Sequence, residues 1–170
     1  MGRDVLIEGR GGCPSHTEFI SSSMRFTPRK PLPHETPAWV ASGSLYFITI
    51  NAAVRGSSAL TEPPSTAEAL LDSAAFYHHN NLWFARLILL MPDHLHALLA
   101  VPVDTSIQTT VGNWKRYAAR SLKLNWQRDF FDHRLRSDES WQLKATYIRE
   151  NPVRKGLVAS PDDWPWVFEG

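Results

Sequence analysis

Two apolar runs separated by a short break limit what this chain can fold into. LWFARLILLM (82–91) and HLHALLAV (94–101) have the length and composition of strands, and they meet across Met91-Pro92-Asp93, residues that favour a turn. An antiparallel hairpin is predicted, one that must be buried. A membrane span is not: between Leu82 and Val103 the apolar stretch is broken by Arg86, Pro92, Asp93, His94 and His96. The hairpin therefore needs further elements of the same chain to cover it.

The flanking sequence supplies them. LYFITI (45–50) is aromatic and β-branched, a third strand, and the polar stretch Asn51 to Pro64 reads as a loop. Ser65 or Thr66 can cap a helix whose apolar positions Ala69, Leu70, Ala74 and Tyr77 recur at helical spacing until His78-His79-Asn80-Asn81. Thr105 or Ser106 opens a second helix to about Leu124, with Val111, Trp114, Ala118 and Leu122 on one face. After the connector WQRDFFDHRLR (126–136), Ser137 with Asp138 and Glu139 caps a last helix over about 138–151, which Pro152 ends. The order strand, helix, strand, strand, helix, with a late helix appended, predicts an α+β fold of ferredoxin-like or RRM-like type, its helices packed on one face of an antiparallel sheet.

The chain has 170 residues, of which 43% are hydrophobic, with seven Trp and eight Phe, enough for one sizeable core. Residues 1–37, rich in Gly, Ser and Pro without periodicity, read as a flexible arm that adds nothing to it, and 38–170 as the folded domain. MGRDVLIEGRGG lacks the apolar segment of a secretory signal, so a cytoplasmic protein is expected. Cys13 is the lone cysteine, which excludes an internal disulfide and any cysteine-based zinc site. The formal charge of +1 conceals an asymmetry. Between Trp114 and Gly156 there are eleven Lys and Arg against five Asp and Glu, a local +6, while the rest of the chain carries seven against twelve, −5.

Two groupings of residues could carry chemistry. On a strand, His94 and His96 flank Leu95 and point to one face about 6 to 7 Å apart, where both imidazoles could converge on an ion while Leu95 faces the apolar layer. Two partly buried histidines hydrogen-bonded at a strand start would look the same. In YIRENP (147–152), Tyr147 and Asn151 stand four residues apart on one helical face, close enough for a phenol and a carboxamide to approach one ion or phosphate. A core tyrosine and a helix-ending asparagine is the plainer account.

MPDHLHALL, WQRDFFDHRLRSDESW, YIRENPVRKGLV and DDWPW, in that order, resemble the REP-associated tyrosine transposases, a branch of the HUH single-strand endonuclease superfamily. The likeness runs from about Arg29 to Trp166. It implies a metal-dependent endonuclease and strand transferase that cleaves single-stranded DNA beside a palindromic REP-type hairpin through a covalent 5′-phosphotyrosine. In that scheme Tyr147 is the nucleophile, and His94, His96 and Asn151 hold a divalent metal, Mg²⁺ or Mn²⁺. A domesticated hairpin-binding protein without cleavage is the alternative.

The basic segment then has a use. Lys115, Arg116, Arg120 and Lys123 on one helix, Arg128, His133, Arg134 and Arg136 after it, and Arg149 in the last helix are the expected DNA contacts. One tyrosine and one histidine pair complete a site within a single chain, so either a monomer or a homodimer suits the resemblance. A nucleoid-associated protein of bacterial type is implied, with no membrane partner.

Overall fold

The computed structural model describes residues 44–136 and 140–170. The predicted flexible arm, and the capping role given to Ser137, Asp138 and Glu139, fall outside those residues. The sheet has five antiparallel strands: β1 (Leu45–Asn51), β2 (Phe84–Leu90), β3 (His94–Ala100), β4 (Phe131–Arg134) and β5 (Val167–Phe168), in spatial order β4-β1-β3-β2-β5. The hairpin β2–β3 lies at its centre, as the two apolar runs require. Helices α1 (Pro64–His79) and α2 (Ile107–Leu122) connect the strands. Then follow α3 (Trp141–Arg149), one further helical turn α4 (Asn151–Arg154) and a short 3-10 turn at Pro161–Asp163.

Strand alternation sorts the sheet's side chains into two layers. Ile48, Ile50, Ile88, Leu90, Leu95, Ala97 and Leu99 face α1 and α2, with Trp83 and Trp114 filling the space between. The Trp114 indole donates to Ser73 Oγ at 3.0 Å, so its one polar atom is satisfied inside the core. Leu87, Leu89, Met91 and Leu98 face the other way and are covered by Ile148 of α3, with Trp141 and Ala145 at the margin. Helices on one face is therefore right for α1 and α2, but α3 lies on the opposite face. It packs there because Ile148 has only that second apolar strip left to bury against.

Several boundaries differ from the sequence reading for identifiable reasons. α1 starts earlier, at Pro64, with Pro63 rather than Ser65 or Thr66 at the cap, because proline fits a helix's first turn without losing a hydrogen bond. Ser106 caps α2 through its hydroxyl, as expected, and Lys123 in a left-handed conformation (φ 58°) stops that helix just before Leu124. α3 starts at Trp141, capped by Ser140. The 126–136 connector contains a strand, β4, which pairs with the open edge of β1. Four exposed or half-exposed residues with charged neighbours gave no alternation by which to see it. At the far edge, Leu90 N–H donates to Trp166 O at 2.9 Å and the Trp164 indole donates to Leu90 O at 2.8 Å, so the DDWPW segment docks onto β2.

Candidate functional site

His94 and His96 occupy the first turn of the pleat in β3, both buried, on the face that α3 covers. Their rings meet edge-on, 4.8 Å between centres. Each ring has its Nδ1 engaged. Asp93 Oδ1 lies 2.6 Å from His94 Nδ1, and Thr49 Oγ1 lies 2.9 Å from His96 Nδ1. Asp93 is itself fixed by the Gly56 N–H at 2.7 Å and by Arg55 at 3.3 Å, and Arg55 also reaches Asn51 Oδ1. Burial pushes the Asp93 carboxyl up, but the Gly56 N–H, His94 and Arg55 outweigh it and hold the group below its usual range. An ionised Asp93 makes His94 Nδ1 the donor. Burial, with the charges of His94 and Arg55 behind it, pushes His96 down to about 4, so at neutral pH it keeps a free lone pair.

Tyr147 comes to the same face from α3. Its neighbour Ile148 is fully buried against the sheet, which leaves the phenol projecting at 46% exposure over the histidines. The Tyr147 ring centre is 6.4 Å from that of His96 and 6.4 Å from that of Phe47, while Phe47 stacks on His96 at 5.6 Å. Phe47 is thus the floor joining the two groupings that the sequence showed separately. The Arg154 guanidinium lies 4.6 Å from the Tyr147 ring centre, and Lys144 Nζ lies 5.8 Å from that of Phe47.

Pro152 does not end the helical path. Having no N–H, it cannot give the bond that Ile148 O would receive from that position. Asn151 replaces it: its Nδ2 donates to Tyr147 O at 2.9 Å and Ile148 O at 3.3 Å, and one more turn, α4, follows. Its two amide hydrogens are thereby committed, and its Oδ1 is the atom left to bind something else.

These groups suit a divalent ion by donor type: two imidazoles, each held through Nδ1, and a carboxamide oxygen. Among the described residues no group of three or more His, Cys, Asp or Glu side chains is placed to hold a metal ion.

A Haemophilus influenzae protein provisionally named REP-associated tyrosine transposase is 28% identical over 142 residues, spanning 73% of this chain and 78% of that protein. The Escherichia coli protein named REP-associated tyrosine transposase is 25% identical over 127 residues, 73% of this chain and 75% of its own. This chain is similar to proteins named REP-associated tyrosine transposases. A solved REP-associated tyrosine transposase bound to a REP hairpin shares the fold, with a TM-score of 0.65 at 24% identity, over 74% of this chain and 76% of its own. No protein-family model matches the chain.

The residues predicted to touch DNA are divided. Arg116, Arg120 and Lys123 are exposed on or just after α2, on the far side of the sheet from His94, His96 and Tyr147. Lys115 is buried: its Nζ donates to Gln127 O at 2.9 Å and Arg128 O at 3.0 Å and lies 5.6 Å from the centre of the Phe130 ring, so it pins the connector and is not open to phosphate. Arg149 is ion-paired with Glu169. Arg128, Arg134 and Arg136 are exposed, and Asp132 to Arg136 line a shallow cleft at the β4 edge with His133 half-buried. Sequence reasoning passed over Phe47, Thr49, Asp93 and Arg55. The alternation in LYFITIN placed Phe47 and Thr49 together, yet only the register of β1 against β3, with Thr49 opposite His96, shows what they serve.

Proposed function

We propose that this protein is a metal-dependent DNA strand transferase that uses Tyr147 to cleave single-stranded DNA next to a REP-type palindromic hairpin. What supports the reading most is one observation: an exposed phenol 6.4 Å from a buried, neutral member of a histidine pair, on one face of the sheet. A Mg²⁺ or Mn²⁺ ion on His94 Nε2, His96 Nε2 and Asn151 Oδ1 would supply Lewis acidity toward the non-bridging oxygens of the phosphodiester.

The chain's own residues supply the rest. Tyr147 Oη attacks phosphorus and its proton passes to solvent; the new bond is a 5′-phosphotyrosine, and the phosphorus to O3′ bond breaks, releasing a protonated 3′-hydroxyl. One phosphodiester is exchanged for another, so a 3′-hydroxyl can reverse the step and rejoin DNA without an external energy source. Arg154 over the Tyr147 ring favours the approach of a phosphate. Phe47 fixes the spacing between phenol and imidazole, and Asp93 and Thr49 hold the imidazoles.

The test is cleavage of end-labelled DNA carrying a REP-like hairpin with unpaired flanks, with and without Mn²⁺. A cut in one flank that requires the metal and is lost in His96→Ala is expected. Hairpin binding with no cut under any metal would leave a DNA-binding protein without this chemistry.

A further inference from the structure

The geometry points to a base-stacking subsite on Phe131 that holds an unpaired base of the DNA strand beside the nucleophile; it rests on the functional reading above. Phe131 opens the edge strand β4 and pairs with Thr49, so it rises from the face that carries His96 and Tyr147. Its ring meets Phe47 edge-on at 6.1 Å, and the residue is 56% exposed. One side rests on the floor of the site while the other faces outward. Its neighbour Phe130 behaves oppositely, packing against the main core beneath Lys115. The exposed rings of Phe76 and Tyr117 sit on α1 and α2, across the sheet from the histidines.

The position suits a base better than a bulky apolar partner. Ring-to-ring steps of 6.4 Å and 6.1 Å lead from Tyr147 through Phe47 to Phe131. A strand advancing ~3.4 Å per stacked nucleotide covers that distance within a few residues of the attacked phosphate. Lys144 and Arg154 stand beside the same path and can meet the phosphates while the phenyl meets a base. A phenyl stacks on any base, so the subsite fixes where the strand lies while leaving its sequence to other contacts.

The experiment uses a DNA hairpin with unpaired extensions on both sides, in which 2-aminopurine replaces one base at a time. The wild-type protein is expected to quench its fluorescence at one or two positions near the cut. Phe131→Ala should abolish that quenching and weaken binding of the extended hairpin roughly 5- to 100-fold, the range for losing one base–aromatic stack. Phe131→Trp should restore both, and a hairpin without extensions should bind all three proteins equally. Unchanged quenching in Phe131→Ala, with cleavage intact, overturns the subsite while the functional reading stands. An equal loss of affinity for the bare hairpin overturns it in favour of a structural role. A wild-type protein that binds neither probe overturns both.

Discussion

The two faces of the sheet are built to different ends. Toward α1 and α2 the described residues form a cluster of twenty-one buried apolar side chains, whereas the face under α3 has five. The sparse face is where a tyrosine stays exposed, two histidines keep one nitrogen each uncommitted, and a phenylalanine forms a floor. Consecutive residues of β3 alternate between these layers, so Leu95 belongs to one and His94 and His96 to the other. The difference teaches that the hairpin can hold a chemically demanding site rigidly because the reverse of the same strand is fully packed.

Breaking the packed face should therefore cost the most stability. Leu95→Ala removes a buried side chain from the main cluster and is expected to cost about 2–5 kcal/mol in chemical denaturation. His94→Gln, one residue away, should cost about 1 kcal/mol or less. Comparable losses from the two would erase the distinction between faces.

Acid should act through the sparse face. His96 lies at about 4 in the folded protein against its usual 6.5, so the unfolded chain binds the extra proton between those values. Stability present above pH 6.5 is lost as pH falls toward 4, by an order of ~3 kcal/mol in total. Asp93, held below its usual value, adds a further loss at still lower pH. Unfolding curves measured from pH 7 to 4 should show this slope, and His96→Gln should flatten it; an equally steep slope in that variant would assign the acid sensitivity elsewhere.

Two basic residues of α2 sharpen the comparison on the packed side. Lys115→Met strands the carbonyls of 127 and 128 and should cost about 1–3 kcal/mol of stability. It should leave the salt dependence of hairpin binding unchanged. Arg120→Ala should do the reverse, leaving stability alone and lowering the slope of log affinity against log salt by about 1.

The supports of the histidine pair give a further contrast. Asp93→Ala frees His94 Nδ1 and should weaken Mn²⁺ binding about 10- to 100-fold by calorimetry, with hairpin affinity in the absence of metal unaltered.

How much of this the sequence carried depends on how local each signal was. The hairpin, the first strand, both long helices and the alternation of Leu95 with the two histidines followed from periodicity and composition, which are local. The edge strand β4 did not, because its four residues are held by pairing with β1 and not by an apolar pattern of their own. Nor did the position of α3, which depends on which strip of the sheet remained uncovered. Of the candidate site, Tyr147, Asn151, His94 and His96 were legible as residue types at meaningful spacing. That Tyr147 and His96 share a face through Phe47 arises from contacts about fifty to a hundred residues apart, beyond any window of sequence. Lys115 shows the opposite error: a lysine among basic neighbours resembles a phosphate contact until its burial is seen.

Whether Tyr147 attacks DNA can be read by mass analysis of the protein after incubation with hairpin DNA and Mn²⁺. A nucleotide adduct is expected on the peptide containing Tyr147, absent from Tyr147→Phe and absent without metal. An adduct on another residue, or one that survives in Tyr147→Phe, would contradict attack by Tyr147.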